Sequence, residues 1–525
     1  MGALFTYLKK QEEFEARQRE LESREVKTPP WTTPTQNLTR PRLKLRRNFD
    51  AAQIDRITNS FLAPITTGDV ELRNSLPTMR ARSRELERNN DYAKKFLHMC
   101  ETNVIGKTGF ILKSRARDFN GSLDKLANDM IEAEWKEWGK RGNCTVDGLL
   151  SWLRVQKLVI RTVARDGEVL IRMIRGFKNP WKFALQILEA DVLNEDLNIS
   201  DGRGQNLIKM GIEYDVWGRP LAYHLREKHP GDYFSTNKST VTYTRVPASE
   251  IVHLFWTERP TQGRGIPWMR TAARRMNLAG EYEFAELVAS RIGASKMGFF
   301  TKQPDMVGSY TGDDTDTDGN MITEAEPGTF EELPAGMDFK TFMPEHPTGN
   351  YGPFMKEVKR GMASGLNVAY NTLSNDLEGV NFSSMRVGTI DERDSWKDIQ
   401  NDFADDFLHP VRAAWLEMLL LTNRTNLPYS KYDKFNHAEF HGRSWDWVDP
   451  EKDINAALKA VGGCLSTLTD ECAARGLDYE DILEKRAEEM KLAKKYGVKI
   501  DLGGPAAKPN PAEPINPPLP AGQEE

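Results

Sequence analysis

The chain has 525 residues, enough for about three or four domains on length alone. Its 39% hydrophobic and 28% charged residues are ordinary for a folded soluble protein, and a net charge of −5 argues against a protein that clamps nucleic acid through bulk positive charge, though not against one that touches it lightly. Cys100, Cys144, Cys464 and Cys472 contain no CxxC pair and are too sparse for a disulfide framework, which fits a reducing, intracellular origin. The opening MGALFTYLKKQEEFEARQRE turns charged too soon for a secretory leader. The strongest apolar run, WLEMLLL (415–421), contains Glu417, so no membrane span is expected.

Residues 1–48 read as a charged arm, partly disordered, with a short helix over about 8–25. The basic run RPRLKLRR (40–47) is either a solvated stretch or an arm that meets phosphate or a partner. Folded structure is expected from about residue 49. Residues 77–105 look helical, started by Pro77, with Met79, Leu86, Ala93, Phe96, Leu97 and Cys100 on one face. A helix over 150–165 precedes a strand-rich stretch of EVLIRMI (168–174), ALQILEADVL (184–193) and IVHLF (251–255). KMGIEYDVWGRPLAYHLRE (209–227) reads as a hairpin turning at Trp217-Gly218-Arg219-Pro220.

The pattern then becomes helical. Pro267 is placed to begin a long helix over 267–292. Residues 294–345 are rich in Gly, Pro and Asp and hold short strands. A second helix over 352–370 has Asn350 as a candidate cap and Pro353 in its first turn. A polar loop follows. From Ser383 or Ser384 to about 421 runs a very long helix, with Ile399, Phe403, Phe407, Val411, Trp415 and Met418 spaced as one buried stripe and a kink expected at Pro410. The connector SWDWVDP (444–450) leads to two short helices over 451–494 and a Pro-rich, disordered tail.

Several chemical signals nearly form and fail. GDDTDTDGN (312–320) spaces Asp314, Asp316 and Asp318 before Gly319 like a calcium loop, but the twelfth position is Ala325, not the bidentate Glu such a loop needs. It reads better as a solvated acidic loop. NVIGKTG (103–109) puts Glu101 where a phosphate loop needs its first Gly. HAEFH (437–441) has two His four apart, but its Glu is one residue late for a zinc protease and the segment is strand- or loop-like. IDERD (390–394) reads as an exposed helix face. With no nucleophile pattern either, no catalytic residue, metal or cofactor is assigned, and the chain reads as an assembly protein. A metal-dependent nuclease or packaging ATPase using the acidic clusters, and a monomeric calcium-binding adaptor, are the rivals.

Five stretches in order, MRARSRELERNN (79–90), GIEYDVWGRPLAYHL (211–225), GRGIPWMRTA (263–272), YNTLSNDLEGVNFSSMR (370–386) and the DP-containing sequence after Trp447, resemble the lambda-type portal proteins of tailed bacteriophages. The resemblance covers about 50–495. It implies an α+β portal fold: a mixed α/β wing (49–262), a stem helix (263–293), a β-containing clip (294–349), a second stem helix (350–370), a tunnel loop (371–383), a long wing helix with a return to the wing (384–450) and a helical crown (451–498). It further implies a ring homo-oligomer, normally a dodecamer, at one capsid vertex. Double-stranded DNA passes through it without regard to sequence. Terminase large subunit, the major capsid protein and head-completion or connector proteins are the implied partners, and no membrane is involved.

In that setting Lys356, Lys359 and Arg360, near one face of the second stem helix, are expected to line the channel as sparse positive rings or to be paired with Glu357 or a neighbouring subunit. Asn375, Asp376, Glu378 and Asn381 are the polar groups expected to meet the duplex from the tunnel loop. Asp313, Asp314, Asp316 and Asp318 would form an acidic collar on the clip, facing partner proteins or weakly repelling DNA. Gly361 and Gly365, four apart, suit a close helix contact or a bend.

Overall fold

A computed structural model describes residues 65–498 apart from 200–205, 233–241, 296–297, 303–313, 316–320, 323–336, 342–348, 379–380, 446–449, 474 and 476. The N-terminal arm and the Pro-rich tail lie outside the described residues.

Helix α1, Gly68–Asn89, begins well before Pro77 and carries that proline inside it. Sequence reasoning placed the start at Pro77. The buried stripe Leu72, Leu76, Arg80, Ser83 and Leu86 explains the difference, because tertiary burial outweighs the one backbone bond the proline cannot make. Asn90 then caps α2, Asp91–Cys100, accepting from the Ala93 N–H at 3.0 Å. A π-turn over Glu101–Ile105 ends at Gly106, whose φ is +73°. After β1 (Ile111–Ser114) come α3 (Lys125–Trp138) and α4 (Trp152–Asp166).

Two antiparallel sheets follow. In the first, β2 (Glu168–Arg175) lies between β3 (Phe183–Leu188) and β8 (Ile251–Phe255), with Leu170 opposite Leu188 and Val169 opposite Leu254. In the second, β4 (Leu207–Lys209), β5 (Ile212–Tyr214), β6 (Pro220–Arg226) and β7 (Tyr243–Pro247) pair in sequence order. The expected hairpin is the β5–β6 pair, with Gly218 at φ +81° in its turn. Leu170, Leu193, Ile212, Tyr223, Leu225, Val246 and Ile251 pack together as a second, smaller core.

Helix α5 spans Arg270–Ser295. Pro267 lies one turn outside it, accepting from the Arg270 N–H at 3.2 Å, and the Trp268 N–H donates to the Ala164 carbonyl at 3.0 Å. Beyond α5 the backbone forms β9 (Gly298–Lys302), paired antiparallel with β12 (Met337–Thr341), and between them β10 (Asp314–Thr315), paired with β11 (Met321–Ile322). Strands, not helices, therefore flank the acidic loop.

Helix α6, Tyr351–Leu366, has Asn350 at its N-cap position but without a side-chain cap bond. It stops at Leu366, four residues short of the expected end, where Asn367 turns left-handed at φ +55°. The loop expected from 371 opens on a short helix α7, Tyr370–Ser374, closed by left-handed Asn375. The long helix is α8 (Phe382–Phe403), a π-turn over Ala404–Leu408 and α9 (His409–Leu421). The π-turn lies immediately before Pro410: it absorbs the ring's clash with the preceding turn, while Phe403, Phe407, Val411 and Trp415 stay fully buried. Short α10 (Tyr432–Phe435) and β13 (Ala438–His441) return to β1, Ile111 opposite His441. Three helices, not two, end the described chain: α11 (Pro450–Gly462), α12 (Leu468–Ala473) and α13 (Tyr479–Tyr496).

The main core centres on aromatic rings brought from four segments. Trp135 stacks edge-on against Trp415 at 4.9 Å and against Trp152 at 5.3 Å, and the Trp138 indole N–H donates to the Phe183 carbonyl at 3.1 Å.

Candidate channel segment and assembly surface

Helices α5 and α6 lie against each other along the face that carries Gly361 and Gly365, two of the three glycines of α6. The Thr271 hydroxyl donates to the Gly365 carbonyl at 2.5 Å, and a Cβ on Gly365 would sit 3.5 Å from the Ala272 backbone nitrogen. A Cβ on Gly361 would meet only the end of the Arg275 side chain, which can move aside. Close approach therefore explains Gly365, which gives α5 a nearer neighbour at a cost of about 1 kcal/mol in helix propensity.

The three cations of α6 all meet partners within this chain. Lys356 reaches Asp376 at 3.3 Å. Lys359 turns instead toward α5 and α2, 3.7 Å from Glu283 and 5.4 Å from the ring centre of Tyr92. Arg360 pairs with Glu357 at 2.5 Å and lies 5.6 Å from the ring centre of Tyr370. The structure thus separates Lys359 from the other two, which face the polar segment after α6.

That segment is tied at its root. The Tyr370 hydroxyl donates to Asp376 at 2.6 Å and the Lys95 ammonium to Asn375 at 3.2 Å. The Tyr370 hydrogen bond, with the Glu378 N–H and Lys356, holds the Asp376 carboxyl below its ordinary range. Glu378 and Asn381 are exposed, and the Asn381 carbonyl accepts the Met385 N–H at 3.0 Å. Of the acidic-loop residues, Asp313, Asp316 and Asp318 lie outside the described residues, and Asp314 is the first residue of β10.

A feature that sequence reasoning missed is the apolar surface of this helical pair. Leu278, Tyr282, Phe284, Leu287, Val288 and Phe354 are exposed, Phe284 at 70% and Leu287 at 69%. Part of this face forms a groove of 690 Å³ lined by Leu278, Tyr282, Phe354 and Val358 with Arg274 and Arg275 on its edge. The signal was present, since α5 carries apolar residues around its circumference rather than on one stripe, as a helix covered on two sides does.

The failed chemical motifs are occupied by structural contacts. The Arg443 stem lies against Gly106, and its guanidinium bonds the Thr102 carbonyl, filling the space a phosphate would need. Residues 438–441 of HAEFH are strand β13 and His437 lies just before it, so His437 and His441 are not on one helix face. Among the described residues the one His and carboxylate group close enough to share a metal ion is Glu189, Asp191 and His229. There His229 Nδ1 accepts the Gly231 N–H at 3.1 Å, so Nε2 carries the proton, 3.1 Å from Glu189. Arg84 holds Asp191 at 2.5 Å. One of the three groups is therefore already engaged by a cation, and the cluster carries no assignment.

The sequence profile described as "Phage portal protein, lambda family" matches residues 55–400. A relative named "Probable portal protein", from Halomonas phage phiHAP-1, is 38% identical over 464 residues, covering 87% of this chain and 89% of its own length. Portal protein B of Escherichia phage lambda is 21% identical over 494 residues, covering 85% of this chain and 90% of its own. Among solved structures, a chain from the neck of an empty gene transfer agent particle covers 76% of this chain and 93% of its own at 13% identity, with a TM-score of 0.41, too loose a likeness to bear on the fold. With the profile spanning well over half of the sequence and a relative at 38% identity across most of it, the chain belongs to the lambda family of phage portal proteins.

Proposed function

We propose that copies of this chain close into a ring, normally a homododecamer, at one vertex of a phage capsid, and that the ring is the channel for packaging and ejecting double-stranded DNA. In this reading residues 66–262 with 382–445 form the wing, α5 and α6 the stem, β9 to β12 the clip, residues 370–381 the tunnel loop and α11 to α13 the crown. The ring is assembled in the host cytoplasm and carried into the virion. Terminase large subunit, the major capsid protein and head-completion or connector proteins dock on it.

One observation carries the ring: an exposed apolar face on a helical pair whose other side is already packed. Such a face is stabilised when a neighbouring copy covers it. The pairing of Lys356, Lys359 and Arg360 within the chain supports the channel reading. A cation that already has a carboxylate partner releases fewer counterions from DNA, so the duplex is guided and not gripped. Asn375, Asp376, Glu378 and Asn381 offer the polar, sequence-blind contacts such a bore requires. The acidic residues Asp313, Asp314, Asp316 and Asp318 form the collar on which terminase or connector proteins dock; replacing all four with Asn tests it, and unchanged docking and packaging would remove the role.

Negative-stain imaging of the purified full-length protein tests the ring. Annular particles are expected. A sample that stays a single compact subunit under all assembly conditions overturns the proposal. Nuclease and ATPase assays on the same sample are expected to be negative, and activity in either would favour an enzyme of the same genome-handling apparatus.

A further inference from the structure

Two of the five sequence stretches that mark this family, MRARSRELERNN and GRGIPWMRTA, meet on one carboxylate. Glu168, the first residue of β2, is fully buried. It accepts from Arg264 Nη2 at 2.6 Å and Nε at 2.9 Å, from Arg80 at 3.1 Å, from the Gly265 N–H at 2.9 Å, and lies 2.9 Å from His253 Nε2. Arg264, also fully buried, continues to the carbonyls of Ala190, Leu193 and Met210 at 3.0 to 3.3 Å. The Glu168–Arg264 pair thus joins α1, both wing sheets and the last residues before the stem.

The backbone at this point leaves no slack. A Cβ on Gly265 would collide with the Gly167 carbonyl and stand 2.7 Å from the Phe255 Cβ. Five residues later α5 begins and runs for 26 residues, about 39 Å at 1.5 Å per residue. A tilt of about 5° at its root would carry its far end by about 3 Å over that rise. Apolar packing at the root would resist separation but tolerate sliding. A forked guanidinium on a carboxylate fixes an angle, and its desolvation cost makes it a poor choice for stability alone.

We propose that Glu168 is the positioning residue of the wing–stem joint, setting through Arg264 and the Gly265 N–H the direction in which the stem leaves the wing. The joint is a property of one subunit. Its consequence, a bore of uniform width, rests on the ring reading above.

The test measures one subunit. Full-length protein with Cys464 and Cys472 replaced by Ser carries spin labels at Phe119→Cys on the wing and Ala285→Cys on the stem, both exposed, and is diluted with unlabelled protein. Pulsed EPR gives the distance distribution. Ala285 lies 15 residues along α5, about 22 Å from its root, so Glu168→Gln and Gly265→Ala are expected to shift or broaden it by about 2 Å or more, the displacement that a tilt of about 5° gives there. The control is Arg424→Gln, which breaks an ion pair to Glu134 in the same wing and shares no partner with the joint, and should keep the parent distribution. Parent-like distances in Gly265→Ala and Glu168→Gln, or equal broadening in Arg424→Gln, overturn the proposal. If Glu168→Gln does not fold, Gly265→Ala against the control decides. Loss of fold in both, with the control folded, makes the site a folding determinant and also overturns it. Imaging the parent separates the two proposals: a shifted joint in a protein that never forms rings would fail the ring reading alone.

Discussion

The segments proposed as wing and crown are held by different physics. The wing buries Trp138, Trp415, Phe403 and Phe407 completely around its aromatic cluster. Among the described residues, α11 to α13 contribute nothing to either apolar core. Among the described residues the crown meets the wing mainly through charge: Lys113 to Asp481 at 2.6 Å, Arg115 to Asp478 at 2.9 Å, Arg386 to Asp453 at 2.9 Å, and Lys125 to Glu484, with one neutral bond, the Ser444 hydroxyl donating to the Arg475 carbonyl at 2.7 Å. Burial of an aromatic ring is worth several kcal/mol, whereas part-exposed ion pairs contribute about 0–1 kcal/mol each and weaken with salt. The wing should therefore behave as one cooperative unit and the crown as a module that opens first.

Trp415→Ala would sharpen this contrast most. It should destabilise the wing by about 3–5 kcal/mol in denaturant unfolding, while proteolysis of the crown in native buffer stays at the parent rate. Gly365→Leu places a branched chain against the α5 backbone and should cost about 1–3 kcal/mol, read as a lower yield of assembled particles.

Glu213 asks whether an ion pair inside the wing behaves like those of the crown. The Arg245 hydrogen bond, with Asn206 and His224, lowers its carboxyl from the ordinary 4.5 to about 2. Because the folded value is depressed, its contribution is complete above about pH 4.5 and is lost as pH falls toward 2. Glu213→Gln should flatten the urea midpoint across that window; an unchanged slope would place the acid sensitivity elsewhere. The smallest effect is expected for Asp481→Asn. It should cost α13 no more than about 1 kcal/mol, seen as faster amide exchange over 479–496, and high salt should bring the parent to the same rate. Exchange in the parent that ignores salt would break the comparison, because the crown would then be held by something other than charge.

How much of this was legible beforehand follows from the range of each interaction. The stripe Phe403, Phe407, Val411, Trp415 repeats at helical spacing, so its burial could be read locally. The hairpin at Trp217-Gly218-Arg219-Pro220 carries its own turn chemistry. The helix through Pro77 could not be read, because the residues that hold it lie on other segments, Ser83 for instance donating to the Arg165 carbonyl. Likewise the pairing of Arg360 with Glu357 follows from its spacing, whereas the partners of Lys356 and Lys359, Asp376 and Glu283, come from two other places in the chain.

The sequence by itself determined the order of elements, the amphipathic stripes, the turns and the family, since these depend on neighbours a few residues apart and on motifs in fixed order. Only the tertiary structure decided which charges are spent within the subunit, that Glu168 gathers Arg80, His253 and Arg264 from 88, 85 and 96 residues away, and that the stem keeps an apolar face uncovered. A buried carboxylate and a bare helix face look in sequence like any Glu and any run of Leu and Phe; what distinguishes them is the set of atoms the fold brings, or does not bring, against them.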